Sequence, residues 1–286
     1  MPSIRPYPLF GVGLVALAVG LGLNSVLGPL VLDRMRYPFT ETVVNETIAL
    51  EAVTLILVAP LALVAGFLAL RGHRAAPFLA FAPTAYAAYM LVQYVVGPQY
   101  PVYQPSIAFH LALFVLSGAL LLRAWALADI APLRMPSRRW AVVVLLLAGF
   151  VLSRWAGALA GMSSGEPVPA AAPDLTMYWS IFLLDLGLVV PFAVAAAVGL
   201  LTGSAWARKA LYVVVGWFAL VPPSVAAMSV VKILRDDPNA VPGDTIVLVV
   251  MAIVFALVAV RLYLPFVTGK AGPPPGRPLT AAPASR

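Results

Sequence analysis

The chain has 286 residues, of which 62% are hydrophobic and 10% charged, with a mean hydropathy of +0.98 and a formal charge of +7. Such a composition lies far outside that of soluble domains and places the chain in lipid. With no cysteine and two histidines, disulfides, thiolate nucleophiles, iron–sulfur clusters, thiolate zinc sites and bis-histidine haem are excluded, and no cofactor is expected.

Residues 1–8 carry Arg5 and lead into an apolar run over 9–32, too long for a signal-peptide core and without a small-x-small cleavage site, so it is read as a retained first span. Seven further runs follow at 46–70, 77–97, 106–128, 140–162, 178–202, 209–233 and 244–267. Each is about the 20 residues that ~30 Å of hydrocarbon requires. Their Leu/Val/Ala runs lack strand alternation, so the fold expected over 1–267 is an all-α bundle of eight transmembrane helices. Residues 268–286, rich in Pro, Gly and Ala, read as a disordered cytoplasmic tail, and 97–105 and 163–177 as proline-studded external loops. Tyr100, Tyr103, Tyr178 and Trp179 fit an outer aromatic belt.

Basic residues set the expected orientation. Eleven lie in the N-terminus, the even-numbered connections and the tail, against three (Arg34, Arg36 and Arg235) in the odd-numbered connections. The excess marks the cytoplasmic side, which puts both termini in the cytoplasm and Asp33, Glu41, Glu46, Glu166, Asp174, Asp236, Asp237 and Asp244 outside. The positive charge then faces anionic lipid at the plasma membrane's cytoplasmic surface and requires no nucleic acid partner.

An internal match suggests a repeat. Gly20-x-x-Leu23-x-x-x-x-Gly28-x-Leu30 corresponds to Gly149-x-x-Leu152-x-x-x-x-Gly157-x-Leu159 at an offset of 129, and Val-Ala-Pro60 to Val-Val-Pro191 at 131. Repeats over 9–128 and 140–267 would make a parallel four-plus-four duplication, as in some transporters; chance matching within low-complexity apolar sequence is the competing reading. Pro60, Pro83, Pro191 and Pro222-Pro223 interrupt spans 2, 3, 6 and 7.

Ionisable residues within spans are the strongest functional signal. Arg154 in span 5 and Asp185 in span 6 fall at one level, roughly 10–12 Å below the outer boundary at 1.5 Å per residue. Arg154 shares a helix face with Gly157 and Gly161, Asp185 with Tyr178, and Glu51 in span 2 with Thr47 and Thr54. Span 3 adds Tyr86, Tyr89 and Gln93 with Tyr94 beside them, and His110 begins span 4. Together these faces would line an outward pocket for a small-molecule ligand. Two readings of the charged pair stand: a salt bridge locking spans 5 and 6, or a functional site. Glu51 likewise reads either as part of the pocket or as an acid at a helix start in the headgroup region. Asn45-Glu46-Thr47 fits a glycosylation sequon.

Three motifs resemble a widespread group of uncharacterised bacterial multi-pass proteins: Glu41-Thr42-Val43-Val44-Asn45, Tyr86-x-x-Tyr89-x-x-x-x-Tyr94-x-x-Gly97, and Asp185-Leu186-Gly187-Leu188-Val189-Val190-Pro191. Members carry Asn-Tyr after the second tyrosine, where this chain has Met90-Leu91. The resemblance implies no activity, but it implies that Glu41, Asn45, the tyrosines and Asp185 form one constellation. Three functions follow as expectations. The first is transport or binding of a small polar or cationic solute. The second is an accessory or sensory subunit that assembles with a partner or as an oligomer. The third is a membrane-embedded enzyme using Glu51 or Asp185 as base with His110, for which HExxH, GxSxG and acidic metal clusters are lacking.

Overall fold

The computed structural model describes residues 7–130, 138–166, 168 and 174–267. The expected tail 268–286, residues 167 and 169–173 of the loop 163–177, and the basic residues Arg5 and Arg134 lie outside the described residues. Within them the chain forms eight helices, each long and apolar enough to cross a membrane: α1 Pro8–Leu27, α2 Glu41–Leu70, α3 Ala76–Val96, α4 Pro105–Leu127, α5 Arg139–Ser164, α6 Leu175–Leu201, α7 Ala205–Leu234 and α8 Pro242–Val267. The sequence-derived boundaries shift at two ends near the functional residues. α1 stops at Leu27, where Gly28 turns the backbone into an extended conformation, and α2 begins at Glu41 rather than 46. In this added first turn the polar side chains of Thr42 and Asn45 are taken up by tertiary hydrogen bonds described below.

Burial divides the helices into two kinds. Two thirds of the apolar windows of α3 and α7 are buried, against about a fifth in α5, α6 and α8. α3 and α7 are therefore the central pair, and the others keep an apolar face for lipid. Lipid tails are as apolar as leucine, so helix association here depends on close packing more than on hydrophobic transfer. α1 and α2 meet at Gly11 and Gly66, where an added Cβ on either would lie within about 3 Å of the other's carbonyl oxygen. α3 and α7 meet at Gly216, whose missing side chain admits the Ala82 backbone.

Two helices change pitch midway. A single π-turn spans Thr54–Val58 in α2 and another spans Asp185–Val189 in α6, closed by Ala59 N–H to Thr54 O and by Val190 N–H to Asp185 O. In each the proline, Pro60 or Pro191, stands two residues after the turn's last residue. A proline ring collides with the carbonyl four residues earlier in an α-helix; the wider turn moves that carbonyl, of Ile56 or Gly187, out of its way. The correspondence continues into the next connection. Gly72 and Gly203 both adopt left-handed backbone conformations, with φ of 67° and 74°. Arg71, Gly72 and His73 donate N–H bonds to Phe67, Ala69 and Leu68; Thr202, Gly203 and Ser204 donate to Val198, Leu200 and Gly199. Every one of these pairs is 131 residues apart.

α7 breaks at Ala219–Leu220, between segments Ala205–Phe218 and Val221–Leu234. Pro222 and Pro223 supply no N–H to the carbonyls of Phe218 and Ala219, so the α-helical ladder cannot pass through. The break is bridged from α3: the Tyr86 hydroxyl lies 3.1 Å from Thr54 Oγ1 and 3.2 Å from Ser224 Oγ, and Ser224 Oγ donates to Leu220 O at 2.9 Å. One phenol thus ties the π-turn of α2 to the break in α7.

Candidate functional site: a polar cavity and a second buried cluster

A cavity of about 650 Å³ lies between α2, α3, α5, α6, α7 and α8. It reaches from the bundle end that holds the α1–α2, α5–α6 and α7–α8 connections to the level of the α7 break. Exposed Asp244 lies at its mouth, and Phe150, Trp217, Phe218 and Pro222 line its deep end. Edge-on contacts of Tyr89 with Trp217 (5.1 Å), Trp217 with Phe218 (4.8 Å), and Phe255 with Phe218 and Phe150 (5.5 and 5.1 Å) join four helices into an aromatic floor. The indole N–H of Trp217, a residue only 7% exposed, is buried without a hydrogen-bond partner among the described residues.

Asp185 sits in the wall of this cavity. As the first residue of the α6 π-turn it is delivered where the helix changes pitch, a setting common at functional sites. Its Oδ1 accepts from the Tyr89 hydroxyl at 2.7 Å and its Oδ2 from Trp155 Nε1 at 2.8 Å. Both donors are neutral. Arg154 lines the same cavity and acts on Asp185 electrostatically, yet it forms no ion pair with it; the salt bridges among the described residues are Arg36–Asp33 and Lys232–Glu46. The salt-bridge lock therefore lacks the contact it requires, and Trp155, adjacent to Arg154 in sequence, takes that place. Trp155 also packs edge-on against Tyr178 and Phe182 at 5.2 and 5.0 Å. Tyr178, which shares a helix face with Asp185, lines the cavity as well.

The rim is a clasp between α2 and the α7–α8 connection. Asn45 Nδ2 donates to Asp237 Oδ2 at 2.8 Å, Thr42 Oγ1 to Asp237 Oδ1 at 3.1 Å, and Asn239 N–H to the same oxygen at 2.9 Å. Lys232 Nζ pairs with Glu46 at 2.9 Å. Burial acts to raise the pKa of Asp237, but the donors from Asn45, Asn239 and Thr42 and the nearby Lys232 ammonium outweigh it and hold the carboxyl below its usual range. Asn45 is 2% exposed and its amide is committed to this clasp, so in the folded chain it is closed to a glycosylating enzyme.

The nine residues singled out in sequence thus separate. Arg154, Asp185, Tyr89 and Gln93 meet at the cavity. Asn45 belongs to the rim clasp and Tyr86 to the link at the α7 break. Glu51, Tyr94 and His110 gather elsewhere, in a second buried cluster among α1 to α4. Glu51 is fully buried ten residues into α2, which removes the helix-start reading. Its Oε2 accepts from Leu30 N–H at 3.0 Å, and its Oε1 occupies the space that a Cβ on Gly28 would need. His110 Nε2 lies 2.7 Å from Asn24 Oδ1, and the rings of Tyr37, Tyr94 and His110 have centroids 5.0–5.9 Å apart. Asn24, a lone amide in an apolar span, was the available sequence signal for this cluster; Tyr37, in a connection, gave none.

No group of three or more His, Cys, Asp or Glu side chains able to hold a metal occurs among the described residues. Comparison with protein-family models, with curated proteins and with solved structures finds no match.

Proposed function

We propose that this chain is a multi-pass plasma-membrane protein, built from parallel four-helix repeats over 9–128 and 140–267, that binds and transports a small cationic solute. Both termini lie in the cytoplasm, the basic connections rest on anionic headgroups, and the cavity faces outward. The paired π-turns and matching turns at 131-residue spacing support the duplication. The resemblance to uncharacterised bacterial multi-pass proteins is compatible with it and adds no activity.

The observation that carries the solute reading is Asp185: a carboxylate inside a membrane-spanning helix that takes its hydrogen bonds from two neutral donors, while Arg154 lines the same cavity, acts on it from a distance and forms no ion pair with it. An ionised acid at that depth calls for a positive partner. The cavity supplies a place for one, with the aromatic residues Tyr89, Trp155, Tyr178 and Trp217 in its lining. A carboxylate among aromatic rings is the chemistry that recognises organic ammonium ions. In the second half Asp185 stands where the first half has Thr54, so the charge is added where the two repeats differ.

The test is titration of the full-length protein in lipid nanodiscs with tetramethylammonium and alkylammonium ions, read by tryptophan fluorescence, since Trp155 and Trp217 line the cavity. Saturable binding that weakens at least roughly tenfold in Asp185→Asn is expected. Equal affinity in Asp185→Asn, or no saturable binding by the unaltered chain, would refute the reading.

A further inference from the structure

The cluster among α1 to α4 contains three buried polar atoms that find no partner among the described protein atoms: Glu51 Oε1, Tyr37 OH and His110 Nδ1. Glu51 and His110 are fully buried and Tyr37 is 8% exposed. Unmet polar atoms at such depth are costly singly, and here they fall in one cluster, since Glu51 acts electrostatically on both Tyr37 and Tyr94, whose rings pack on His110.

Their chemistry specifies the guest. Asn24 Oδ1 is an acceptor, so His110 Nε2 carries the ring hydrogen toward it and Nδ1 keeps a lone pair. Burial first, and the Glu51 charge second, push the Tyr37 phenol above its usual range, so it remains a hydroxyl donor. The site therefore offers one donor and two acceptors. Water matches that set, since one molecule can accept from one donor and donate to two acceptors.

We propose that Glu51, Tyr37 and His110 form a buried proton-binding site, separate from the solute cavity, in which a bridging water delivers the proton to Glu51. On uptake a hydronium gives up one proton, an O–H bond forms at Glu51 Oε1, and the guest remains as neutral water; release reverses these steps, with His110 Nδ1 as the neighbouring acceptor. The site changes by one unit of charge within the bundle. The titratable groups facing it are Asp33, Tyr37 and Tyr100 from the connections, Tyr86 and Tyr94 from α3, and His110 from α4, while α1 presents only Asn24 and Ser25. The guanidinium at the edge of this set, Arg36, is paired with Asp33 at 3.0 Å. Glu51 also stands three residues before the α2 π-turn, whose Thr54 hydroxyl is bonded to Tyr86, one helical turn from the Tyr89 that holds Asp185.

Infrared difference spectroscopy of the full-length protein in nanodiscs, titrated from acid to alkaline pH, tests the proposal. A reversible band of a buried protonated carboxyl is expected, absent from Glu51→Gln, with its midpoint moved by about one pH unit or more in Tyr37→Phe and His110→Gln. Asp185→Asn should retain the band, so failure of the solute reading leaves this one standing. Persistence of the band in Glu51→Gln overturns the proposal, as does a midpoint indifferent to both neighbours. So does reproduction of the spectral change by exchanging choline for sodium at fixed pH, which would make this a metal-ion site. Should Glu51→Gln fail to fold, Tyr37→Phe removes only one hydroxyl and decides the question by its midpoint.

Discussion

Arg154→Ala is the substitution that separates a functional cavity from a structural lock. Breaking a buried ion pair by removing one partner costs about 3–5 kcal/mol. In this structure Arg154 is exposed and touches no carboxylate, while Asp185 is held by Tyr89 and Trp155 at 2.7 and 2.8 Å. Removing the guanidinium should therefore cost no more than about 1 kcal/mol. Trp155→Phe, which deletes one hydrogen bond to a charged group, should cost about 1.5–3 kcal/mol. Asp185→Asn is expected to lie between these, because an amide still accepts from Trp155 through its oxygen and can donate to the Tyr89 oxygen through its nitrogen. The assay is unfolding in mixed micelles titrated with a denaturing detergent, followed by circular dichroism. A double-mutant cycle then isolates the pairwise terms. Coupling between residues 155 and 185 should be about 1 kcal/mol or more, and between 154 and 185 within about 0.5 kcal/mol. If Arg154→Ala alone costs about 3 kcal/mol and Asp185→Asn restores that stability, the two charges pair and the reasoning from this geometry fails.

Two further expectations follow from the rim and the bundle centre. Asp237 has a lowered pKa in the folded chain, so its contribution to stability is complete above its unfolded-state pKa and is lost as the pH falls through the folded value. Unfolding midpoints of the unaltered chain should accordingly drop on acidification, and Asp237→Asn, which sets an amide nitrogen against either the Asn45 amide or the Thr42 and Asn239 donors, should be less stable at neutral pH and lose less of its remaining stability in acid; parallel pH curves would contradict this. Tyr86→Phe leaves Thr54 and Ser224 without their shared hydroxyl and should cost about 1–3 kcal/mol. Because Tyr86 does not line the cavity, ammonium affinity should be unchanged in that variant, and a matched loss of affinity would show that the α7 break and the cavity move together.

Legibility differed sharply between scaffold and site. Eight spans in the right order could be read directly, as could the interruptions at Pro60, Pro191 and Pro222-Pro223. The offset of 131 found at two Val-x-Pro segments also relates the two π-turns and the left-handed glycines Gly72 and Gly203. Hydrocarbon thickness fixes span length, backbone groups in lipid must be satisfied within the segment, and a proline's clash involves only the preceding turn. All of these are local constraints, and local constraints are written in consecutive residues.

What only tertiary structure decided is which polar groups share a site. Tyr86 and Tyr89 form one stripe by helical spacing, yet one ties α2 to α7 while the other holds Asp185, because α3 packs against α2, α6 and α7 at once. Glu51 and Asp185, equally conspicuous as acids in apolar spans, fall into separate clusters for the same reason. Periodicity states which way a side chain points from its own axis; the rotation and neighbour of that axis come from close contacts such as Gly11 with Gly66 and Gly216 with Ala82. The sequence by itself determined where the chain crosses and bends, and packing determined that Arg154 and Asp185 share a cavity without meeting.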